Sequence, residues 1–133
     1  MSLSPAALRE FLAAGEALEF TVTGGSMGSA LPAGTIVRVH GRLPRVGELA
    51  LYDCGDGSAV HRIVWRRGEL RYQLGDAEAG GTWLAPEKIL GTVTARKLPG
   101  NAQWKNESAT LRHARLLRAW MKLLLRKMRG GRR

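Results

Sequence analysis

The sequence predicts a mainly β protein with a short N-terminal helix and a long C-terminal helix. Six runs of alternating or β-branched residues are bounded by Gly, Pro, Asp and Asn, and turns recur every eight to twelve residues. This spacing is typical of a small barrel or sandwich and not of a parallel sheet. Near the C-terminus apolar residues recur instead at intervals of three and four, which indicates a helix. The 133 residues suit a single domain with its own core.

The first helix is expected within residues 1–17. Ser4 is a favourable N-cap, Pro5 fits the first helical position, and Gly15 ends the helix. The β domain is expected at 18–97. Its predicted strands are 18–22, 35–39, 48–52, 58–65, 70–74 and 89–95.

The chain after the β domain divides into a linker at 98–107 and a basic amphipathic helix with its tail at 108–133. One face of this helix is predicted to be apolar and to comprise Leu111, Ala114, Leu117, Met121, Leu124, Leu125 and Met128. The opposing face is predicted to be basic and to comprise Arg115, Arg118, Lys122, Arg126 and Arg129. We expect the apolar face to be buried within the protein or in a dimer contact. The alternatives are an anionic membrane surface or a partner protein bound by residues 108–129.

The net charge of +10 is concentrated in this last segment. From residue 101 onward there are ten Lys and Arg residues and one acid, Glu107, whereas the first hundred residues are nearly neutral. A basic tail can bind polyanions, but it does not define the chemistry of the β domain. We expect no specific binding of nucleic acid.

The first candidate functional residue is Ser26, in the stretch Thr23-Gly24-Gly25-Ser26-Met27. This stretch follows the first predicted strand, and Gly24 and Gly25 are expected to supply the positive φ of a sharp turn. A serine presented on a tight turn can be a nucleophile if a base reaches its hydroxyl. Turns also favour Gly and Ser for local reasons, so the turn alone does not predict catalysis.

The second candidate is His61, within the fourth predicted strand. Alternation places His61 on the same face as Ala59 and Ile63, which predicts partial burial. A single histidine in this setting is either a hydrogen-bonded core residue or the base partner of Ser26.

These residues belong to a longer pattern. Its parts are Gly25-Ser26-Met27, Val46-Gly47-Glu48, Val60-His61-Arg62-Ile63, Gly75-Asp76 and Ile89-Leu90-Gly91-Thr92-Val93. In order and spacing, over residues 20–97, it resembles the signal peptidase and LexA-type superfamily of serine proteases. Histidine at position 61 resembles the archaeal and endoplasmic-reticulum branch and the small, anchorless signal-peptidase-like proteins of bacteria.

The resemblance implies a coiled antiparallel β domain with Ser26 as nucleophile, His61 as general base and Asp76 as the acid that orients His61. It also implies an oxyanion site at the turn of Gly25 and Ser26, and a substrate groove to which we assign Met27 and Val60. The sequence differs from the family pattern at Gly24, Ser29, Thr35 and Thr82. At position 82 the His branch usually has a second acid.

The other candidates for chemistry are weaker. Cys54 is the only cysteine, so an intramolecular disulfide is excluded, and it has no motif-matched histidine. The three histidines lack metal-ligand spacing, and we expect neither a metal nor a cofactor. No stretch is long and apolar enough for a membrane span. We therefore expect a cytoplasmic protein, with peripheral membrane association as an alternative.

The sequence thus predicts a serine endopeptidase resembling signal peptidase, whose substrate binds as an extended strand beside Ser26. The alternatives are a non-catalytic peptide-binding module of the same fold, and an adaptor that binds membranes or nucleic acid through its basic helix.

Overall fold

The computed structural model of the protein describes residues 4–130, and seven antiparallel strands form one sheet in the order β1-β2-β7-β3-β4-β5-β6. The strands are β1 Leu18–Thr21, β2 Ile36–His40, β3 Leu49–Asp53, β4 Ser58–Arg67, β5 Leu70–Leu74, β6 Thr82–Leu84 and β7 Ile89–Lys97. The helices are α1 Pro5–Ala13 and α2 Ala109–Gly130, and a single 3₁₀ turn precedes β7. The predicted segments 1–17 and 108–133 each extend beyond the described residues, by 1–3 and 131–133.

The prediction of a mainly β protein with a helix at each end is confirmed, and six strands lie close to their predicted positions. The sequence analysis missed β6, because it predicted no strand between 74 and 89. Gly81 explains how this strand approaches β5. A Cβ atom at position 81 would lie 1.6 Å from the carbonyl oxygen of Gln73, so only glycine fits there.

The first helix begins as predicted. The Ser4 side chain accepts a hydrogen bond from the amide of Ala7 at 3.2 Å, which is the role of an N-cap. Leu8 and Leu12 are buried on the face of α1 that contacts the sheet. They join the largest apolar cluster, which also contains Met27, Ala30, Leu31, Val37, Val39, Leu49, Leu51 and Leu90.

The second helix packs against the sheet through a face that the sequence analysis did not select. Leu116 and Ala119 are buried against Val64 and Leu74, with Leu123 partly buried beside them. The predicted apolar face lies outward instead. Its exposed members include Leu111, Leu117, Met121, Leu124, Leu125 and Met128, each between 38% and 57% exposed. The expectation that this face is buried within the chain is therefore wrong.

Polar contacts explain why the side of α2 that carries Arg115 and Lys122 faces the sheet. Lys122 donates to backbone carbonyl groups of residues 76 and 78, and Arg115 contacts Glu107. Trp120 donates to the carbonyl group of Val64 at 2.6 Å. These hydrogen bonds hold α2 in an orientation in which its apolar stripe faces outward, although such a stripe usually faces inward. Within residues 4–130, neither helix combines the length and the apolar content needed to cross a membrane.

Candidate active site

Ser26 lies in the turn that follows β1, half-buried beside the sheet. The left-handed backbone of this turn is at Gly28, where φ is 54°. The expectation that Gly24 and Gly25 supply positive φ is wrong, because neither glycine adopts it. A Cβ atom at either glycine would meet no atom within 4 Å among the described residues. The backbone before Ser26 is therefore open to an approaching ligand.

Ser26 and His61 are in hydrogen-bond contact, as predicted. The Ser26 Oγ lies 2.8 Å from Nε2 of His61. His61 is 8% exposed, so the predicted burial of this strand residue is also confirmed. A buried imidazole at this distance can accept the hydroxyl proton if Nε2 is unprotonated.

The contacts of the other ring nitrogen favour that tautomer. His61 Nδ1 lies 2.6 Å from Oε1 of Gln73, and an amide oxygen can only accept a hydrogen bond. Nδ1 therefore carries the proton, which leaves the lone pair of Nε2 directed at Ser26. Gln73 thus occupies the place beside the histidine that a carboxylate occupies in Ser-His-Asp triads.

The amide of Gln73 is itself held by a second contact. Its Nε2 donates to Oγ1 of Thr82 at 2.9 Å, which fixes the amide oxygen on the His61 side. Thr82 occupies the position where the resemblance leads one to expect a second acid. In this chain that position supports the neutral partner of His61.

Tyr52 borders the same nitrogen. Its hydroxyl lies 3.0 Å from Nδ1 of His61, and the two rings are 5.4 Å apart at their centroids. Burial raises the pKa of Tyr52 to about 12, and the nearby Cys54 and Glu78 add to the shift. The phenol is therefore neutral around pH 7, and it shields the imidazole from solvent.

Glu78 is the acid that reaches His61. Its Oε1 lies 3.2 Å from Nε2, the nitrogen that also faces Ser26. The side chain of Glu78 is 43% exposed, so it borders the site from the solvent side. A carboxylate there favours the imidazolium that forms when His61 accepts a proton.

Asp76, predicted to orient His61, has a different partner. Both of its carboxylate oxygens accept hydrogen bonds from Arg62, at 2.8 and 2.9 Å. The prediction of a direct contact with His61 is corrected accordingly, because the positions beside both ring nitrogens are taken by Ser26, Glu78, Gln73 and Tyr52.

Arg62 is fully buried between two carboxylates, those of Asp76 and Glu107. Burial by itself would lower the pKa of the Arg62 guanidinium, but the hydrogen bonds to the two acids and their charge raise it overall. Burial opposes ionisation of Glu107 as well, yet the guanidinium groups of Arg62 and Arg115 bring its pKa below the usual range. This cluster joins β4 to the segment that leads into α2.

The loop that carries Asp76 and Glu78 also contacts the backbone of Ser26. The amide of Ala77 donates to the carbonyl group of Ser26 at 2.8 Å. A Cβ atom at Gly75 would lie 2.6 Å from that carbonyl oxygen, so glycine is needed for the close approach. Lys122 of α2 holds the same loop through two carbonyl groups, at 2.7 and 2.8 Å.

A cavity of about 270 Å³ lies beside Ser26, between the chain after β1 and the start of β4. Met27 and Val60, the two residues assigned to a substrate groove, both line it. Pairing between β5 and β4 extends only to Leu74 and Arg62. Among the described strands, none pairs with residues 58–60 on that side, so an edge of backbone borders the cavity.

Two further groups complete the inventory. No hydrogen bond within residues 4–130 uses the amide of Ser26, so this N–H is available to a ligand oxygen at the predicted turn of Gly25 and Ser26.

The exposed Cys54 lies at the hairpin tip between β3 and β4. Although the residue is exposed, partial desolvation of its Sγ atom raises the pKa of the thiol, and a hydrogen bond to Asp56 adds to this shift. The raised pKa disfavours the reactive thiolate.

Sequence reasoning missed three side chains that contact His61, namely Tyr52, Gln73 and Glu78. Gln73 lies directly opposite Ile63 in the β4–β5 pair through a bulge between Ile63 and Trp65, and alternation in the sequence does not reveal that bulge. For Glu78, which reaches the site from an irregular loop, no periodic pattern was available.

Hydrogen bonds connect Ser26, His61, Gln73 and Thr82 in one chain. A serine hydroxyl that donates to a buried imidazole can act as a nucleophile. A scan against models of known protein families finds no match to this chain, and a search of the curated proteins finds none either.

Proposed function

We propose that this protein is a serine endopeptidase that resembles signal peptidase, with Ser26 as nucleophile and His61 as general base. The observation that carries the proposal is the 2.8 Å contact between Ser26 Oγ and His61 Nε2, on an imidazole whose other nitrogen faces the oxygen of Gln73. The resemblance of residues 20–97 to the signal peptidase and LexA-type superfamily supports the same assignment.

The reaction begins when Ser26 Oγ attacks the carbonyl carbon of a peptide bond while its proton passes to His61 Nε2. The oxygen of the tetrahedral intermediate accepts a hydrogen bond from the amide of Ser26. His61 then gives the proton to the leaving amine, and an acyl group remains on Ser26. Water, deprotonated by His61, attacks this ester and releases the acid product together with the free serine hydroxyl.

Other residues assist at defined points. Gln73 keeps the proton of the neutral imidazole on Nδ1, so that Nε2 is free at the start of each half-reaction. Glu78 stabilises the imidazolium that exists between the two proton transfers, because its carboxylate lies 3.2 Å from Nε2. Asp76 is a positioning residue: it pairs with Arg62, and the next residue, Ala77, binds the carbonyl group of Ser26.

The substrate is an extended peptide. The cavity beside Ser26 borders the unpaired backbone edge at residues 58–60, where a peptide strand can form main-chain hydrogen bonds. The walls near Ala59 and Val60 are apolar, which favours apolar side chains of modest size. No cofactor takes part in the proposed steps.

A serine-directed fluorophosphonate tests the proposal. We expect the intact mass of the wild-type protein to increase by a single adduct, and Ser26→Ala to remain unlabelled. Ser58→Ala is the matched control, since Ser58 lines the same cavity but has no contact with His61; it should label at the wild-type rate. A folded wild-type protein that resists labelling over the pH range of neutral imidazole would instead favour the non-catalytic peptide-binding module.

A further inference from the structure

The outward face of α2 is an apolar stripe without a partner among the described residues. Leu117, Met121, Leu124 and Met128 are each between 52% and 57% exposed, and Leu125 is 45% exposed. At 3.6 residues per turn these five side chains lie on one side of the helix, opposite the buried Leu116 and Ala119. Helices that pack in a compact protein normally bury such a stripe.

An aromatic pair continues the stripe toward the sheet. Trp65 of β4 is 53% exposed and meets Trp120 edge to face, with ring centroids 5.9 Å apart. By helical position Trp120 lies beside Leu124. Tryptophan side chains at the margin of an apolar surface suit a boundary between hydrocarbon and water.

Cations lie along both borders of the stripe. By helical position, Arg118 and Arg129 follow one border and Lys127 follows the other, and all three are exposed. Helix α2 contains seven Lys and Arg residues and no acid. Long basic side chains can keep their charged ends among anionic groups while their stems cover apolar surface.

From this arrangement we propose that α2 binds to an anionic lipid surface, with its outward stripe inserted at the boundary between headgroups and acyl chains and its border cations on lipid phosphates. Leu and Met side chains supply the apolar contact, and the border cations select anionic lipid. The proposal is independent of the proposed peptidase activity, because none of its residues contacts Ser26 or His61.

Charge argues against a second copy of the chain as the occupant. Two stripes packed together would bring two sets of border cations into proximity, and α2 has no acid to pair with them. Like charges opposed across an interface disfavour association. An anionic lipid surface satisfies the apolar stripe and the cations together.

Co-sedimentation with vesicles tests the proposal on the full-length protein. One set of vesicles is phosphatidylcholine alone, and the other is an equimolar mixture with phosphatidylglycerol. We expect the wild-type protein to bind the mixed vesicles at low salt, with a blue shift of tryptophan emission. Binding should fall steeply as salt is added, and it should be much weaker on the neutral vesicles.

Two sets of variants separate the apolar and ionic contributions. The triple variant L117Q/M121Q/L124Q should bind mixed vesicles at least about tenfold more weakly, since each half-exposed side chain loses its burial in lipid. The triple variant R118Q/K127Q/R129Q should lose binding on the order of a hundredfold at low salt. Phe11→Gln is the matched control, because Phe11 is 49% exposed on α1, and it should bind like the wild type.

Circular dichroism serves to check that each variant is folded, and Ser26→Ala should bind vesicles like the wild type. The proposal is overturned if the wild-type protein stays in the supernatant with mixed vesicles at low salt. It is also overturned if the apolar triple variant binds as tightly as Phe11→Gln. A wild-type dimer in sedimentation equilibrium, converted to a monomer by that triple variant without any vesicle binding, would assign the stripe to a second copy.

Discussion

Gln73 meets the Nδ1 side of His61 at 2.6 Å, where a peptidase triad has a carboxylate. An amide oxygen selects the same imidazole tautomer as a carboxylate does, but it adds no negative charge. In the proposed reaction, the imidazolium of His61 would therefore gain little from Gln73 beyond orientation. Glu78, which approaches the opposite nitrogen, is the nearest source of negative charge.

Replacing Gln73 tests the tautomer argument. We expect Gln73→Leu to lower kcat/KM by roughly 10²–10⁴, because the proton can then reside on Nε2, where it blocks the transfer from Ser26. Gln73→Glu should retain activity, since a carboxylate oxygen selects the same tautomer of His61 as the amide oxygen does. Equal rates for Gln73→Leu and the wild type would remove Gln73 from the mechanism.

Glu78 is tested by removing its charge. Glu78→Gln takes away the carboxylate that lies 3.2 Å from Nε2 of His61 and keeps a side chain of the same size. We expect kcat to fall about tenfold, because the imidazolium of the transition state loses its counter-charge. Glu69→Gln, at the exposed turn between β4 and β5, is the control. If Glu78→Gln kept the wild-type kcat, as Glu69→Gln should, Glu78 would have no part in the proposed mechanism.

Asp76 should affect stability more than chemistry. Asp76→Asn and Glu107→Gln each remove one charged partner from the buried Arg62, and each should lower the free energy of unfolding by about 2 kcal/mol. Urea unfolding measures this loss, and steady-state kinetics on the folded fraction should show kcat reduced less than tenfold in both. A much larger kcat defect in Asp76→Asn than in Glu107→Gln would restore Asp76 as a direct partner of the site.

The pairing of Ser26 with His61 was expected from the resemblance of residues 20–97 to a protease superfamily, whereas the local patterns predicted only where each residue lies. Ser26 is in a glycine turn at a strand end, and His61 is in an alternating strand whose apolar neighbours predict its burial. The β4–β5 register, which brings Gln73 beside His61, depends on a bulge between Ile63 and Trp65. Sequence periodicity does not reveal a bulge.

The face of α2 was predicted wrongly for a related reason. Apolar periodicity selected the stripe around Leu117 and Met121, because it contains more large apolar residues than the other side. Contacts over long sequence separations decided otherwise: Lys122 binds the loop at Asp76, and Glu107 binds the buried Arg62. Such contacts are absent from any window of consecutive residues, so the orientation of α2 was visible only in the structure.

The buried ion pairs of Glu107 should make the free energy of unfolding depend on pH in the acidic range. The pKa of Glu107 is lower in the folded protein than its ordinary value of 4.5, so the folded state binds fewer protons than the unfolded chain does in that range. This contribution is present above the unfolded pKa and is lost as the pH falls through the folded pKa. We expect the free energy of unfolding of the wild type to decline below about pH 4.5, and that of Glu107→Gln to decline less.

Glu48 provides the comparison for that measurement. A hydrogen bond from Arg42 lowers the pKa of Glu48 as well, against the effect of its partial burial, and Arg42 is 48% exposed. Exposed pairs contribute little, so Glu48→Gln should change the acid dependence less than Glu107→Gln does. Urea unfolding from about pH 3 to about pH 7 measures the acid dependence of both variants. This range begins roughly one pH unit below the ordinary pKa of glutamate and ends roughly three units above it. A larger change in Glu48→Gln would place the acid sensitivity at the surface.

Tyr52 should make the free energy of unfolding depend on pH in the alkaline range. Its pKa rises from 10.0 to about 12 on folding, chiefly through burial, so the folded state holds a proton that the unfolded chain releases first. The contribution is fully present below pH 10 and is lost as the pH rises through about 12. We expect the tyrosinate absorbance of the wild type to show a component near pH 12 that Tyr52→Phe lacks. The free energy of unfolding of Tyr52→Phe should also depend less on pH in this range than that of the wild type. Turnover at neutral pH should fall less than about tenfold in this variant, because Gln73 remains on Nδ1 of His61. A component near pH 10 that disappears in Tyr52→Phe would mean that solvent reaches the phenol, and with it the imidazole that the phenol shields.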